Sequence, residues 1–276
     1  MKSETLVRLY RKYEIADLQF GKIHDKLGDL YEEYCVIVLE DKSNLEKAKN
    51  NSNSDSLDYK VFLEILNSFG ITNFTAIESI TASTRVPHRE TTHGLSKTDV
   101  IITINYLAGN SSKHALSCKQ STVAKMAFAE FDADTICREV GITDNRLREL
   151  ILKHQTDKSA KNFTPAEKSE LKTKLAPIAR EFVRWVITGS IDCVPSNLVF
   201  PTAIIKFKLK KPADRYNISV EGGDFDLISF HACGIEEYID SIMFTPRKTP
   251  RPGGFGTGLS WTYATGSGGF KIQFKA

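Results

Sequence analysis

Hydrophobic spacing along the chain switches between helical and strand periods. From Ser3 to Tyr13 and from Lys22 to Asp41, Leu, Ile, Tyr and Val recur every three or four residues, which predicts two helices, the second punctuated by Asp41 and Ser43. Residues 50–58, NNSNSDSLD, hold too few apolar side chains to enter a core. They predict a loop leading into a helix that ends near Phe69 and Gly70. Residues 73–85 mix β-branched residues with Ala, Glu and Ser, and favour neither period.

After Gly94 the period becomes two. Asp99 to Tyr106, DVIITINY, predicts a strand with Val100, Ile102, Ile104 and Tyr106 on one face and Asp99, Thr103 and Asn105 on the other. AGNSSK then connects to a second predicted strand, His114 to Ser121. There Leu116 and Cys118 face inward while Ser117 and Lys119 face a cleft. Helical spacing returns from Asp132 to Val140, stops at Gly141, and resumes from Asp144 to His154. The longest predicted helix starts at the N-cap Thr164, with Pro165 at its first position and Glu167 completing a capping box. Its stripe of Leu171, Leu175, Ile178, Phe182 and Trp185 runs towards Thr188 with a kink at Pro177. From Leu198 onward VFPTAIIKFKL and YNISV are strand-like, and SWTYAT joins GFKIQFK through GSG as a terminal hairpin.

No internal repeat of 20 to 50 residues and no sustained heptad is present. The order of elements predicts a mixed α/β fold with helices around a central sheet, and no composition break requires independently folded parts. One domain over 1–276 is expected.

Composition narrows the functions this fold could serve. Across 276 residues, 37 Lys and Arg against 34 Asp and Glu leave a net charge of only +3, which argues against a generic DNA-coating protein. The distribution is less even: residues 241–276 hold five Lys or Arg and no acid, a local surface for an anionic ligand. Charges interrupt the first residues, MKSETLVRLYRKYE, and no apolar run reaches membrane-spanning length, so a cytoplasmic location is expected. Five dispersed cysteines, Cys35, Cys118, Cys137, Cys193 and Cys233, form no CxxC pair and read as reduced thiols. His231 and Cys233 are one close H-x-C pair, too few ligands for structural zinc. GGFGTG at 253–258 lacks the following GK[ST] of a phosphate-binding loop, and its glycines could instead allow close backbone approach to DNA. The histidines are dispersed, and no serine-triad motif is present.

The constellation with most chemical content is Asp99 on one strand and Ser117, Cys118 and Lys119 on the next. If the strands pair near their ends, Asp99 can offer Mg²⁺ a hard oxygen, helped by the Cys118 carbonyl, and Lys119 can orient an attacking water or stabilise charge on a phosphoryl centre. Ser117 can hydrogen-bond to a water on that ion but adds no charge. Glu32, on the second helix, is another oxygen donor reaching the metal through water, and Glu130 can enter the same region. The same residue types equally suit solvated side chains. In the C-terminal segment Arg247, Lys248 and Arg251 flank prolines and lead into glycines, suited to a phosphate backbone. Lys271, Gln273 and Lys275 alternate on one side of the last strand with Phe274 opposite, a pattern that fits a groove-facing hairpin and also a plain solvated one.

Several long, ordered segments carry a more specific signal: LGDLYEEY, SKTDVIITIN, SCKQS, AEFDADTICREVGITDNRLRELILKHQTDKSAKNFTP and GFGTGLSWTYATGSGGFKIQFK. Together they resemble the MspI restriction endonuclease family, within the broader PD-(D/E)xK nuclease class, nearly end to end. The resemblance implies a restriction-endonuclease-like α/β fold, a mixed central sheet flanked by helices, with catalytic strands near 98–121 and a DNA-recognition region near 245–276. It implies a type II, Mg²⁺-dependent site-specific deoxyribonuclease acting on double-stranded DNA at CCGG, with cleavage after the first cytosine. A cognate DNA methyltransferase is then expected as a functional counterpart rather than a stable partner.

Asp99 and Lys119 match the family's active-site aspartate and lysine, and Ser117 stands where the relative carries asparagine. Glu32 matches a helical glutamate suited to supporting the metal. Thr262, Tyr263, Thr265, Gln273 and Lys275 fall in the matched recognition segment, where base-facing contacts are implied. Ala127 replaces a serine, Gly268 and Gly269 replace a more basic stretch, and residues 221–244 match poorly. Because neutral Ser117 replaces the broader class's second acid, a cleavage-incompetent, sequence-specific DNA-binding protein is the alternative function. No coiled-coil stripe announces an obligate interface, so monomers are expected in solution, with a transient homodimer or successive encounters on DNA.

Overall fold

Capping side chains and turn residues set most of the element boundaries. The computed structural model describes residues 3–18, 20–87, 96–192, 197–214, 219, 223–244, 254–264 and 271–276. Ser3 accepts a hydrogen bond from the Leu6 amide and opens α1 (Glu4–Lys12). After α2 (Phe20–Glu40), Asp41 caps a short α3 (Lys42–Lys49), and α4 (Leu57–Ser68) follows the polar loop. Strands β1 (Ile77–Ser83), β2 (Val100–Tyr106), β3 (Ser111–Ser121) and β4 (Ala127–Phe131) come next. Asp132 and Asp144 cap α5 (Ala133–Glu139) and α6 (Asn145–Thr156), separated by Gly141 at φ +72. Thr164 and Glu167 form the capping box of α7 (Pro165–Leu175), after which come α8 (Ala179–Thr188), β5 (Ala203–Leu209), β6 (Leu227–Gly234), α9 (Ile235–Phe244), β7 (Ser260–Tyr263) and β8 (Ile272–Lys275).

Several boundaries depart from the sequence expectation, each for a physical reason. The segment from Thr164 to Thr188 is two α-helices: a 3₁₀ turn at Ala176–Ile178 intervenes, because Pro177 has no amide to donate to the preceding turn. The longest helix described is therefore α2, at 21 residues. The undecided stretch 73–85 forms a 3₁₀ turn and β1, whose ladder slips between Ile77 and Ser79. Strand β3 begins at Ser111, earlier than the pattern suggested, and β4 and β6 carry no clean alternation. YNISV lies almost wholly outside the described residues, and so does Cys193. Cys35, Cys118, Cys137 and Cys233 are buried free thiols. Among the described residues no helix is long and apolar enough to cross a membrane.

The chain divides into two compact units, residues 1–124 with 195–235, and residues 125–194 with 236–276. The first contains a mixed five-stranded sheet in the order β1-β2-β3-β5-β6, antiparallel except where β3 runs parallel to β5. One face of that sheet packs against α2 and α4. Leu27, Leu30, Tyr31, Tyr34 and Val38 of α2 meet Val100, Ile102, Leu116, Ile205 and Phe207, and the rings of Tyr31 and Phe207 lie 4.5 Å apart. Edge strand β6 is secured by Glu64 of α4, which accepts from the Ala232 amide at 3.2 Å and lies 2.8 Å from His231 Nδ1. His231 is thus engaged by a carboxylate.

The second unit holds a three-stranded antiparallel sheet, β4-β8-β7, that the pattern had not separated from the central one. Its buried face presents Trp261 and Phe274 to Phe182 of α8, with the Phe182 and Trp261 rings stacked at 5.3 Å. Gly258, at the end of the glycine-rich run before β7, serves packing within this unit. At Gly258 φ is +73 and an added Cβ would sit 2.3 Å from the Ile242 carbonyl oxygen of α9, so the close backbone approach there is to protein.

His154 lies in this aromatic layer at 1% exposure, edge-on to Phe163, Phe255 and Trp261. Neither ring nitrogen has a hydrogen-bond partner among the described residues. Burial pushes the imidazole pKa down to about 4, with Asp157 opposing. A depressed histidine stabilises the fold fully above the unfolded pKa near 6.5, and the contribution is lost as pH falls through about 4. Unfolding free energy should fall by about 2–3 kcal/mol over that window. Denaturant titrations across it should show His154→Leu to be less acid-sensitive than wild type; an identical slope in both would contradict this account.

Candidate active site

The site grows out of the alternation on β3. Leu116 and Cys118 enter the core, at 0% and 8% exposure, so Ser117 and Lys119 must leave through the opposite face. Pairing of Val100 with Leu116 then places Asp99 opposite Ser117, and the Asp99 amide extends the ladder by donating to the Leu116 carbonyl at 2.9 Å. Three donors converge on one Asp99 oxygen, Oδ2: the Ser117 hydroxyl at 3.0 Å, the Cys118 amide at 2.7 Å and the Lys119 ammonium at 2.9 Å. Among the described residues no donor reaches Oδ1.

Each of these contacts constrains a side chain that the sequence singled out. The Ser117 hydroxyl is buried, and its proton goes to Asp99, leaving only lone pairs for any other partner. Lys119 and Asp99 form an ion pair at 23% and 17% side-chain exposure, shielded but not sealed from water. Cys118 directs its amide past the end of β2 towards Asp99. Because the amide and carbonyl of one strand residue point to the same side, the Cys118 carbonyl lies along that open edge. Its thiol points the other way, 3.6 Å from Cys35, and burial raises its pKa well above that of a free thiol.

Glu32 of α2 completes the group. Burial raises its pKa to about 7, and the negative charge of Asp99 adds to the rise while Lys119 opposes it. Two carboxylates thus share one ammonium, leaving a net negative charge when both are ionised. Among the described residues no three His, Cys, Asp or Glu side chains are grouped to hold a metal. One free carboxylate oxygen, one edge carbonyl and a nearby half-buried acid suit a hard cation that keeps several waters, as Mg²⁺ does, and do not suit zinc. The donor set fits Mg²⁺.

The proposed groove-facing residues lie in the other unit. Direct pairing puts Glu130 of β4, Gln273 of β8 and Thr262 of β7 in one cross-strand row, and Ala127, Lys275 and Ser260 in the next. Gln273 and Lys275 are half-buried on the face opposite Ile272 and Phe274, and Thr262 and Tyr263 are half-buried on β7. Thr262 donates to the Gln273 carbonyl at 3.1 Å, and Gln273 Nε2 donates to Glu130. Lys271 is exposed, and its charge helps lower the pKa of Asp132. Arg247, Lys248, Arg251 and Thr265 lie outside the described residues. Glu130 is thus tied to the terminal hairpin through Gln273, a pairing that the sequence pattern, with β4 unrecognised, did not signal.

Comparison with known proteins follows the whole chain. The sequence profile of the restriction endonuclease MspI family matches residues 12–276. A type II restriction enzyme MspI from Moraxella sp is 34% identical over 278 residues, covering 100% of both chains. A crystal structure of restriction endonuclease MspI in complex with its cognate DNA superposes with a TM-score of 0.85 at 33% identity, again covering 100% of each chain.

The raised pKa of Glu32 has a stability consequence. The group favours the fold fully below the unfolded value near 4.5, and that contribution is lost as pH rises through about 7. Without divalent metal, Glu32→Gln should therefore be more stable than wild type above neutrality, by about 1–2 kcal/mol once the shift is discounted for solvent screening. The difference should vanish in acid. Equal unfolding curves for the two proteins at mildly alkaline pH would refute the assignment.

Proposed function

This chain belongs to the MspI restriction endonuclease family, and on that premise we propose that it is a Mg²⁺-dependent type II site-specific deoxyribonuclease that binds double-stranded DNA and hydrolyses it at CCGG after the first cytosine. The observation that carries the catalytic part is the convergence of Ser117, Cys118 and Lys119 on a single oxygen of Asp99. Those three donors fix the carboxylate in rotation and leave Oδ1 for a cation. The family match over both units supports their acting as one nuclease domain.

Asp99 and the Cys118 carbonyl would hold Mg²⁺, with Glu32 supporting it through water. Bound there, the ion supplies Lewis acidity and lowers the pKa of water. Ser117 keeps the Asp99 plane in place, which substitutes for charge at that position by orientation. The Lys119 ammonium is positioned to donate to the incoming water or to the phosphate oxygen on which negative charge develops, a stabilisation greatest in the transition state. Glu32, neutral or charged near pH 7, is suited to exchange a proton with water at the site. Sequence readout falls to Thr262, Tyr263, Thr265, Gln273 and Lys275, with Lys275 as a donor to guanine acceptors. Arg247, Lys248, Arg251 and Lys271 supply contacts to the phosphate backbone.

A defined CCGG duplex incubated with and without Mg²⁺, with the product ends mapped, tests this reading. Cleavage after the first cytosine should require the ion. Asp99→Asn and Lys119→Ala should each lower the cleavage rate by roughly a hundredfold or more while changing duplex affinity far less. Selective binding with no metal-dependent cut would instead identify a DNA-binding protein on a nuclease scaffold.

A further inference from the structure

The three-stranded sheet carries a carboxylate where a DNA-contacting surface would ordinarily carry none. Across β4, β7 and β8 the only acid is Glu130, and it is exposed. Its row is firmly backed: Ala129, Trp261 and Phe274, one step along each strand, are buried, the two rings against Phe182. On the front, Gln273 donates its Nε2 to Glu130, while Thr262 holds the Gln273 carbonyl at 3.1 Å and its amide oxygen at 3.4 Å. Glu130, Gln273 and Thr262 therefore form one ordered polar row beside the row of Lys275.

A carboxylate has about four lone-pair sites, and Gln273 occupies one. Facing DNA, the rest are repelled by phosphates and by guanine N7 and O6 or thymine O4, all of them acceptors. The major groove offers strong donors only at the exocyclic amines of cytosine and adenine. An acid on such a surface lowers affinity everywhere except against an amine. Lys275, in the neighbouring row, has the opposite polarity and complements guanine. A donor and an acceptor side by side match adjoining guanine and cytosine edges.

We propose that Glu130 is a specificity residue that accepts a hydrogen bond from the exocyclic amine of a cytosine, with Gln273 holding the carboxylate in place. The inference rests on the duplex-cutting function above, and adds to it an acceptor that reads a base. Lys275 alone would tolerate any base pair whose acceptors it reached; Glu130 penalises those that present a carbonyl where cytosine presents an amine.

The test begins by selecting the preferred site from randomised duplexes with wild-type protein in a metal chelator. Each cytosine of that site is then replaced by 2-pyrimidinone, which lacks only the 4-amino group, and in parallel by adenine. Binding to wild type, Glu130→Ala and Glu130→Gln is measured over a range of salt, with thermal unfolding as the check on folding. At one cytosine, wild type should lose roughly tenfold in affinity when the amine is removed, and Glu130→Ala should be indifferent to the removal. Glu130→Gln, which keeps a carbonyl acceptor, should fall between them.

Glu130→Ala should bind random duplex at least as tightly as wild type, because a negative charge has gone; a merely structural role would weaken both. Recovery of affinity with adenine at that position would overturn cytosine as the base read. An amine effect of the same size in wild type and Glu130→Ala would overturn the proposal while leaving the nuclease reading intact. Failure of wild type to select any sequence would overturn both.

Discussion

Strand β3 can be placed in only one way, and the parity of its side chains governs everything around it. Leu116 and Cys118 are core residues and Ser117 and Lys119 line the candidate site, so a slip of one position would drive an ammonium into the apolar layer and expose a leucine. The same register that buries Leu116 against α2 brings Asp99 opposite Ser117. Core formation and assembly of the candidate active site are therefore one event. The buried Cys35–Cys118 contact, on the reverse of the strand, helps hold that register from the helix side.

Glu32 is handled differently from the paired acids and bases elsewhere in the molecule. Glu167 meets Lys153 and the cap amide of Thr164, which bring its pKa down to about 2, and Asp144 is lowered by Lys174 and the Leu147 amide. Arg184 is nearly buried but paired with Glu236 at 2.8 Å and with the Ile191 carbonyl at 3.0 Å. These groups are stabilised in their charged forms. Glu32 is shifted the other way, and among the described residues it has no hydrogen-bond partner. An acid raised to about 7 beside a second acid costs folding stability once both are charged.

The parts of the fold legible in the sequence are those whose signals are local. Alternation in DVIITINY and ALSCKQ placed the two site strands, and Thr164 with Glu167 marked the start of α7. Family resemblance, not spacing, singled out Asp99 and Lys119 from other residues of their kind. What stayed hidden depends on distant partners. β4 reads as AFAEF with a ladder irregularity between Ala127 and Ala129, and nothing nearby reveals that its partner is β8. β1 has an outer face of Ser79, Thr81 and Ser83, and β6 exposes Ile228, so neither shows the pattern of a half-buried strand. In α3 only Asn44, Leu45 and Ala48 are buried, too few to stand out as a stripe. The pairing of Glu130 was invisible for the same reason as β4: a cross-strand row cannot be read from one strand.

The pairing of β4 with β8 also bears on the order in which a newly made chain can acquire its parts. Residues 99–121 and the helices that cover them emerge early, while most of the second unit is still to be synthesised. Ala127 and Glu130 must wait for Lys275 and Gln273, and the Met126 amide reaches the Ala276 carbonyl at 2.8 Å only after that. β5 and β6, needed to complete the first sheet, also arrive only after residue 200. Neither the sheet that carries Asp99 nor the strand pairing that orders Glu130 and Gln273 is therefore complete until the last third of the chain has been made.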